Sequence, residues 1–211
     1  MNKNMIKINE IFYSLQGEGK TIGQPKLFIR LSGCNLKCDF CDTKYHIENN
    51  EVNFSLLKKY KRWCITGGEP LLQQEEIEKL IEKYKPKWIE VETNGTIEPN
   101  GYLLDVVNLW NISPKNPKFN AVKKIKYNFL DGSFSTQDYI LKFVYNNDSM
   151  FIKKIVKKYN IMNSDVYIMP EGETKKQQEE KMKMVIDFCL KNNFNFSPRL
   201  HVLVYDDERG V

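Results

Sequence analysis

Residues 26–43 read KLFIRLSGCNLKCDFCDT: an apolar run ending in glycine, then three of the chain's five cysteines, Cys34, Cys38 and Cys41, within eight positions. The apolar part has the length and the β-branched and aromatic content of a buried strand. Runs of the same kind recur as RWCITGG (62–68), WIEVETNG (88–95), LWNISPK (109–115), YILKFVY (139–145) and VYIMPEG (166–172), six strands in all. Helical periods lie between several of them. Ile77, Leu80, Ile81 and Tyr84 share one face of 73–85, and Ile152, Ile155, Val156 and Tyr159 repeat the spacing. Met182, Val185, Ile186 and Cys189 repeat it again, which makes Cys189 a helix core residue rather than a ligand. Strands alternating with helices predict βα units and a mainly parallel sheet. From Asn116 to Asp138 there is no helical period, only Pro, Asn, Gly and Ser among lysines. That crossover is expected to be a loop, and the barrel to be incomplete there.

The 211 residues, 41% hydrophobic, suit one domain spanning 1–211. The first residues, MNKNMIKINE, hold no signal-peptide h-region, and no apolar run approaches the roughly 18 residues that span a bilayer, so a cytoplasmic protein with no membrane partner is expected. The net charge of +5 is spread through Lys-rich helices rather than held in one block, and no direct nucleic-acid partner is expected from it. In a reducing compartment an odd number of cysteines points to metal, catalysis or packing, not to disulfides. Cys64, on a buried strand, reads as packing.

Four of the runs end in polar or glycine-rich segments: SGCN after Leu31, TGGEP after Ile65, ETNG after Val91 and SPK after Ile112. In parallel α/β folds the site lies beyond the carboxyl ends of the strands, so these segments should face one pocket. The C-x3-C-x2-C spacing lets three thiolates reach one inorganic centre. A structural zinc site takes four protein ligands, for which only His46 is near in sequence, and ferredoxin patterns supply four cysteines. Three ligands on a four-iron cluster would leave one iron open, and a zinc-stabilised binding module stands as the non-enzymatic alternative. In Gly67-Gly68-Glu69-Pro70 the glycines would let backbone approach a ligand and the Glu69 carboxylate would pair with an ammonium group. A plain turn closed by proline is the other reading.

The cysteine triad after one strand and GGEP after the next together resemble the radical S-adenosylmethionine superfamily. The N-terminal IFYSLQGEGKTIGQPKLFIRLSGCNLKCDFCDT, with TGGEP, ETNGT, SPK, MPEG and the terminal RLHVLVYDDERGV, is similar to the 7-carboxy-7-deazaguanine synthase family over essentially the whole chain. The resemblance implies an abridged partial (β/α) barrel. It implies a carbon–nitrogen lyase of queuosine and 7-deazapurine biosynthesis that converts 6-carboxytetrahydropterin to 7-carboxy-7-deazaguanine with loss of ammonia. It also implies a 4Fe-4S cluster, regenerated S-adenosylmethionine, Mg²⁺, a reductant such as flavodoxin or ferredoxin, and a homodimer.

Residue by residue, the match gives Cys34, Cys38 and Cys41 to the cluster and Thr43 to Mg²⁺. It gives Phe40, Cys41, Asp42, Glu69, Gly95, Ser113, Pro114, Lys115, Met169, Pro170, Glu171 and Gly172 to the cofactor. Substrate contacts fall on Leu15, Gln16, Gly17, Arg30, Thr93 and His201. Gln16 would pair with a pterin edge through its amide, Gly17 would admit close backbone approach, and Arg30 would bind the substrate carboxylate. His201 is expected on a C-terminal strand, and the carboxylate after Gly210-Val211 near the substrate. The nearest enzymatic alternative is a radical activase that acts on a glycine-bearing partner protein.

Overall fold

The six apolar runs form strands because alternate residues of each can be buried on two different faces. The computed structural model describes residues 6–39, 41, 52–132, 137–145, 147–208 and 210. The expected strands are β2 (Pro25–Leu31), β3 (Arg62–Gly67), β4 (Trp88–Thr93), β5 (Leu109–Ile112), β6 (Tyr139–Tyr145) and β7 (Val166–Pro170). Two more, β1 (Ile8–Leu15) and β8 (Asn195–Phe196), bring the sheet to eight strands among the described residues. The strands lie side by side in chain order, with β1 antiparallel to β2 and every later pair parallel.

Helices cover the crossovers: α1 (Ser55–Lys59), α2 (Gln74–Tyr84), α3 (Gly101–Val106), α4 (Asn128–Asp131), α5 (Ser149–Lys158) and α6 (Lys175–Asn192), with α7 (Leu200–Tyr205) after β8. Among its described residues, the crossover expected to be a loop holds a 3-10 turn at Pro117–Phe119 and the four residues of α4. On α2 the buried residues are Ile77, Leu80, Ile81 and Tyr84, the predicted face. On α6 the buried face is turned from the predicted one: Val185 and Cys189 are buried and Phe188 packs beside them, while Ile186 is exposed. His201 lies in α7, not on a strand. The β-branched run HVLVY reads as extended, but the Leu200 N–H is captured by the Gly17 carbonyl at 2.9 Å and Val202 is buried, so tertiary contacts decide the element.

The sheet's two faces have different chemistry. Leu27, Ile29, Trp63, Ile65, Ile89, Val91, Trp110, Leu141 and Phe143 form one apolar cluster with Leu57, Ile77, Leu103 and Ile152 of the helices. The intervening positions carry most of the polar groups, Lys26, Cys64, Thr66, Glu90, Glu92, Asn111 and Lys142, with Phe28 among them. The Lys26 ammonium contacts the Glu90 carboxylate and the Thr21 hydroxyl, and both charged side chains are fully buried (0% exposed). Thr21 also donates to Glu90 at 2.7 Å, and Asn111 and Gln16 complete its shell.

Removing one partner of a buried pair leaves an uncompensated charge. Lys26→Met is therefore expected to lower unfolding free energy by roughly 3–5 kcal/mol in urea titrations. Lys26→Met combined with Glu90→Gln should recover part of that loss.

Candidate active site

The strand ends open into a cavity of about 810 Å³. The cysteines enter it from the loop after β2, Thr66 to Gly68 from β3, Glu92 to Asn94 from β4, Ser113 and Lys115 from β5, Lys142 from β6 and Met169 from β7. The end of β1 supplies Leu15, Gln16, Gly17 and Glu18, and α7 with its preceding turn supplies Arg199 and His201. The four polar strand ends picked out in the sequence thus share one space.

The glycine pair interlocks with the root of the cysteine loop. A Cβ on Gly67, whose φ is +123°, would sit 2.1 Å from the Leu31 carbonyl oxygen, and one on Gly68 would sit 1.9 Å from that of Gly33. Gly68 N donates to the Leu31 carbonyl at 3.1 Å and Glu69 N to that of Gly33 at 2.8 Å. The close approach these glycines permit is therefore to the chain itself. The Glu69 side chain is fully buried and accepts from Leu71 N (3.0 Å), Thr93 Oγ1 (2.8 Å) and Asn94 N (2.7 Å). Burial raises its pKa against these hydrogen bonds. Its geometry is that of a staple between the β3 and β4 ends, with both oxygens taken by protein donors.

Cys34, Cys38 and Cys41 are half-buried and line the cavity. Burial pushes the Cys34 thiol up and that of Cys38 to about 11, so their ionisation calls for a cationic centre. Two thiolates on one zinc ion can stand no more than about 4.6 Å apart. Among the described residues the metal-ligating side chains that all lie within 4.8 Å of one another are Cys64, Glu90 and Glu92, and the cysteine triad is not such a group. The three cysteines stand on one loop and face one cavity, the placement that three ligands of a single inorganic centre need. Cys64, Glu90 and Glu92 sit instead among Lys26, Lys142 and Gln16, which complete their charge and hydrogen bonding.

At the other end of the cavity Lys142 donates to Glu18 (2.6 Å) and Glu92 (3.1 Å). Arg199 Nε reaches Glu18 at 2.8 Å, and Thr66 donates to Glu92 at 2.7 Å. Burial alone would raise both carboxylates. For Glu18, Lys142, Arg199 and His201 outweigh it and hold the pKa well below the ordinary value; for Glu92, Lys142 does so despite Glu18. Burial would likewise lower the Lys142 pKa, but the two carboxylates raise it instead. Glu18, Glu92, Lys142 and Arg199 were not singled out in the sequence. For Glu92 and Lys142 the signal is a charge at alternate positions of an otherwise apolar strand, as in WIEVET and YILKFVY, which marks the inward face of a barrel; Glu18 and Arg199 lie in the segments after β1 and before α7 and carry no such signal.

The sequence-predicted residues separate into groups. Arg30 lines the cavity paired with Glu10. Gln16 is buried: its Nε2 donates to Glu90 Oε1 at 2.9 Å and its Oε1 accepts from Glu18 N at 3.2 Å, so both ends of the amide are held by protein. A Cβ on Gly17 would lie 2.1 Å from His201 Nδ1, so the space that glycine opens is filled by the imidazole. Thr93, Ser113, Lys115 and Met169 reach the cavity, with Lys115 Nζ on Ser113 Oγ at 2.8 Å. Gly95 (φ +77°) packs on Ile112, and Gly172 gives its carbonyl to Gln178 and Arg199. Glu171 pairs with Lys181 at 2.9 Å, and Pro170 gives its carbonyl to Gln178. Pro114 lies between the two cavity residues Ser113 and Lys115. Phe40, Asp42, Thr43, His46 and Val211 lie outside the described residues.

An open βα barrel with a three-cysteine loop at the carboxyl ends of its strands is the arrangement of the radical S-adenosylmethionine class of enzymes. No protein-family model matches the chain. It is 31% identical over 219 residues to the 7-carboxy-7-deazaguanine synthase of Pyrobaculum aerophilum, covering 97% of each chain. It is 33% identical over 218 residues to that of Hyperthermus butylicus, covering 95% of this chain and 93% of the relative. The crystal structure of QueE from Escherichia coli has the same fold, with a TM-score of 0.66 at 24% identity over 93% of this chain and 94% of that one. The chain belongs to the 7-carboxy-7-deazaguanine synthase family.

The depressed pKa of Glu18 ties stability to pH with a definite sign. Its contribution is present above the ordinary carboxylate value of 4.5 and is lost as pH falls through the lowered folded value. The stability difference between wild type and Glu18→Gln, from denaturant unfolding, should shrink as pH falls below about 4.5.

Proposed function

We propose that the protein converts 6-carboxy-5,6,7,8-tetrahydropterin to 7-carboxy-7-deazaguanine with release of ammonia, using a 4Fe-4S cluster, S-adenosylmethionine and Mg²⁺. The observation that carries this reading is that the cysteine triad and the charged floor of Glu18, Glu92 and Lys142 face the same cavity. Its volume is in the range of sites that enclose small molecules. Bound there, the cluster and S-adenosylmethionine supply a carbon-centred radical that can abstract hydrogen.

The chain's own residues hold, orient and shield. Cys34, Cys38 and Cys41 ligate three irons. Ser113, Pro114, Lys115 and the Met169 to Gly172 turn hold S-adenosylmethionine with Gly95, Phe40 and Asp42, and Glu69 acts by fixing Thr93 and Asn94. Leu15, Gln16, Gly17, Arg30, Thr93 and His201 form the substrate end. A guanidinium such as that of Arg30 suits a carboxylate, and a floor of fixed charges suits a heterocycle edged with amide and amino groups. Thr43 is the proposed Mg²⁺ ligand, with water and substrate oxygens completing the ion's shell. The strands and helices exclude water and fix orientation, while the radical chemistry belongs to the cofactor.

The reading includes one domain spanning 1–211, cytoplasmic residence, a homodimer, and flavodoxin or ferredoxin as electron donor. None of the described helices is long and apolar enough to cross a membrane.

An anaerobic assay of reconstituted protein with 6-carboxytetrahydropterin, S-adenosylmethionine, Mg²⁺ and dithionite should yield 7-carboxy-7-deazaguanine. Cys34→Ala, Cys38→Ala and Cys41→Ala should each abolish both iron binding and turnover. Consumption of S-adenosylmethionine only when a protein substrate is added, with the carboxypterin untouched, would overturn the assignment in favour of an activase.

A further inference from the structure

Residues 119–121 lie against the cysteine loop as a strap. Cys38 and Asn120 form an isolated antiparallel bridge, Asp39 N donates to the Phe119 carbonyl at 3.0 Å, and Ala121 N donates to that of Lys37 at 2.9 Å. Asn120 is fully buried (0% exposed) at the centre of this contact. Its Oδ1 accepts from two backbone N–H groups, Lys37 at 3.2 Å and Val122 at 2.9 Å. With the oxygen fixed from both segments, the amide has one sensible orientation, and its nitrogen is left facing sulfur. Nδ2 donates to Cys38 Sγ at 3.0 Å.

An amide donor so constrained is more than a clamp. A backbone clamp needs only the oxygen, whereas the N–H is aimed at an atom whose charge changes when the cluster is reduced. We infer that Asn120 is a positioning residue that sets the reduction potential of the cluster through its N–H···S bond to Cys38. A hydrogen bond to a ligating thiolate stabilises negative charge on sulfur. That charge is greater after the cluster takes up one electron, so the bond favours the reduced form and raises the potential. The inference rests on the assignment of the cluster to Cys34, Cys38 and Cys41.

The test is a dithionite titration of anaerobically reconstituted protein through redox mediators, following the one-electron-reduced cluster by electron paramagnetic resonance. Asn120→Asp keeps an oxygen for Lys37 N and Val122 N but replaces the donor with an acceptor; Asn120→Ser is the second variant. Iron and sulfide content should match wild type. The reduced-to-oxidised ratio at the wild-type midpoint should fall at least tenfold, a shift of about 59 mV to more negative potential for one electron. An unchanged midpoint in either variant that holds a full cluster would overturn the inference. Loss of iron from both variants would also overturn it, by making Asn120 a clamp alone. A wild-type protein that takes up no iron and sulfide would instead refute the cluster assignment itself.

Discussion

The site depends on how closely β3 approaches the root of the cysteine loop. At Gly68 the backbone lies so near the Gly33 carbonyl that even a methyl group would overlap it, and the hydrogen bonds from Gly68 N and Glu69 N close the joint. Glu69 then carries the constraint sideways, because its buried carboxylate binds Thr93 and the Asn94 backbone at the end of β4. On the opposite side the strap around Asn120 meets Lys37 and Cys38. The loop is thereby held from the ends of β3 and β4 and from the strap, which is how a ligand set keeps its geometry.

The second organising feature is the charged interior. Glu18, Glu90 and Glu92 face Lys26, Lys142 and Arg199, linked through Gln16, Thr21, Thr66 and Asn111. A buried network of this kind adds little net stability over an apolar core of the same volume, since desolvation offsets much of the attraction. Its value lies in fixed direction. Donors and acceptors that cannot reorient present a small polar heterocycle with one arrangement of charge, at no further ordering entropy when the ligand arrives. The helix-facing side of the same strands carries the apolar burial that stabilises the fold.

The strands and three longer helices were legible because their signals are local: apolar runs for β2 to β7, and a 3.6-residue period in α2, α5 and α6. The elements at the ends of the chain were not. β1 mixes buried, half-buried and exposed residues and leads into LQGEG, so it read as a motif rather than a strand, while β8 is two residues long and owes its existence to pairing with β7. The run HVLVY carries strand propensity but folds as α7, because Gly17 captures its first N–H. Of the site, the cysteines and glycines were legible as residues, since each type at that spacing has few other uses. The hydrogen-bond partners of Glu69 and Gln16 were not, because they lie 24 and 74 residues away along the chain. The ion pairs of the interior were hidden for the same reason.

The claim that three cysteines hold a cluster with one open iron is the one on which the functional reading stands. Mössbauer spectroscopy of protein reconstituted with ⁵⁷Fe, before and after addition of S-adenosylmethionine, addresses it directly. The account predicts a four-iron cluster in which one iron site alone changes its spectrum when S-adenosylmethionine is added. A spectrum that S-adenosylmethionine leaves unaltered, or a protein that binds zinc in place of iron and sulfide, would contradict it.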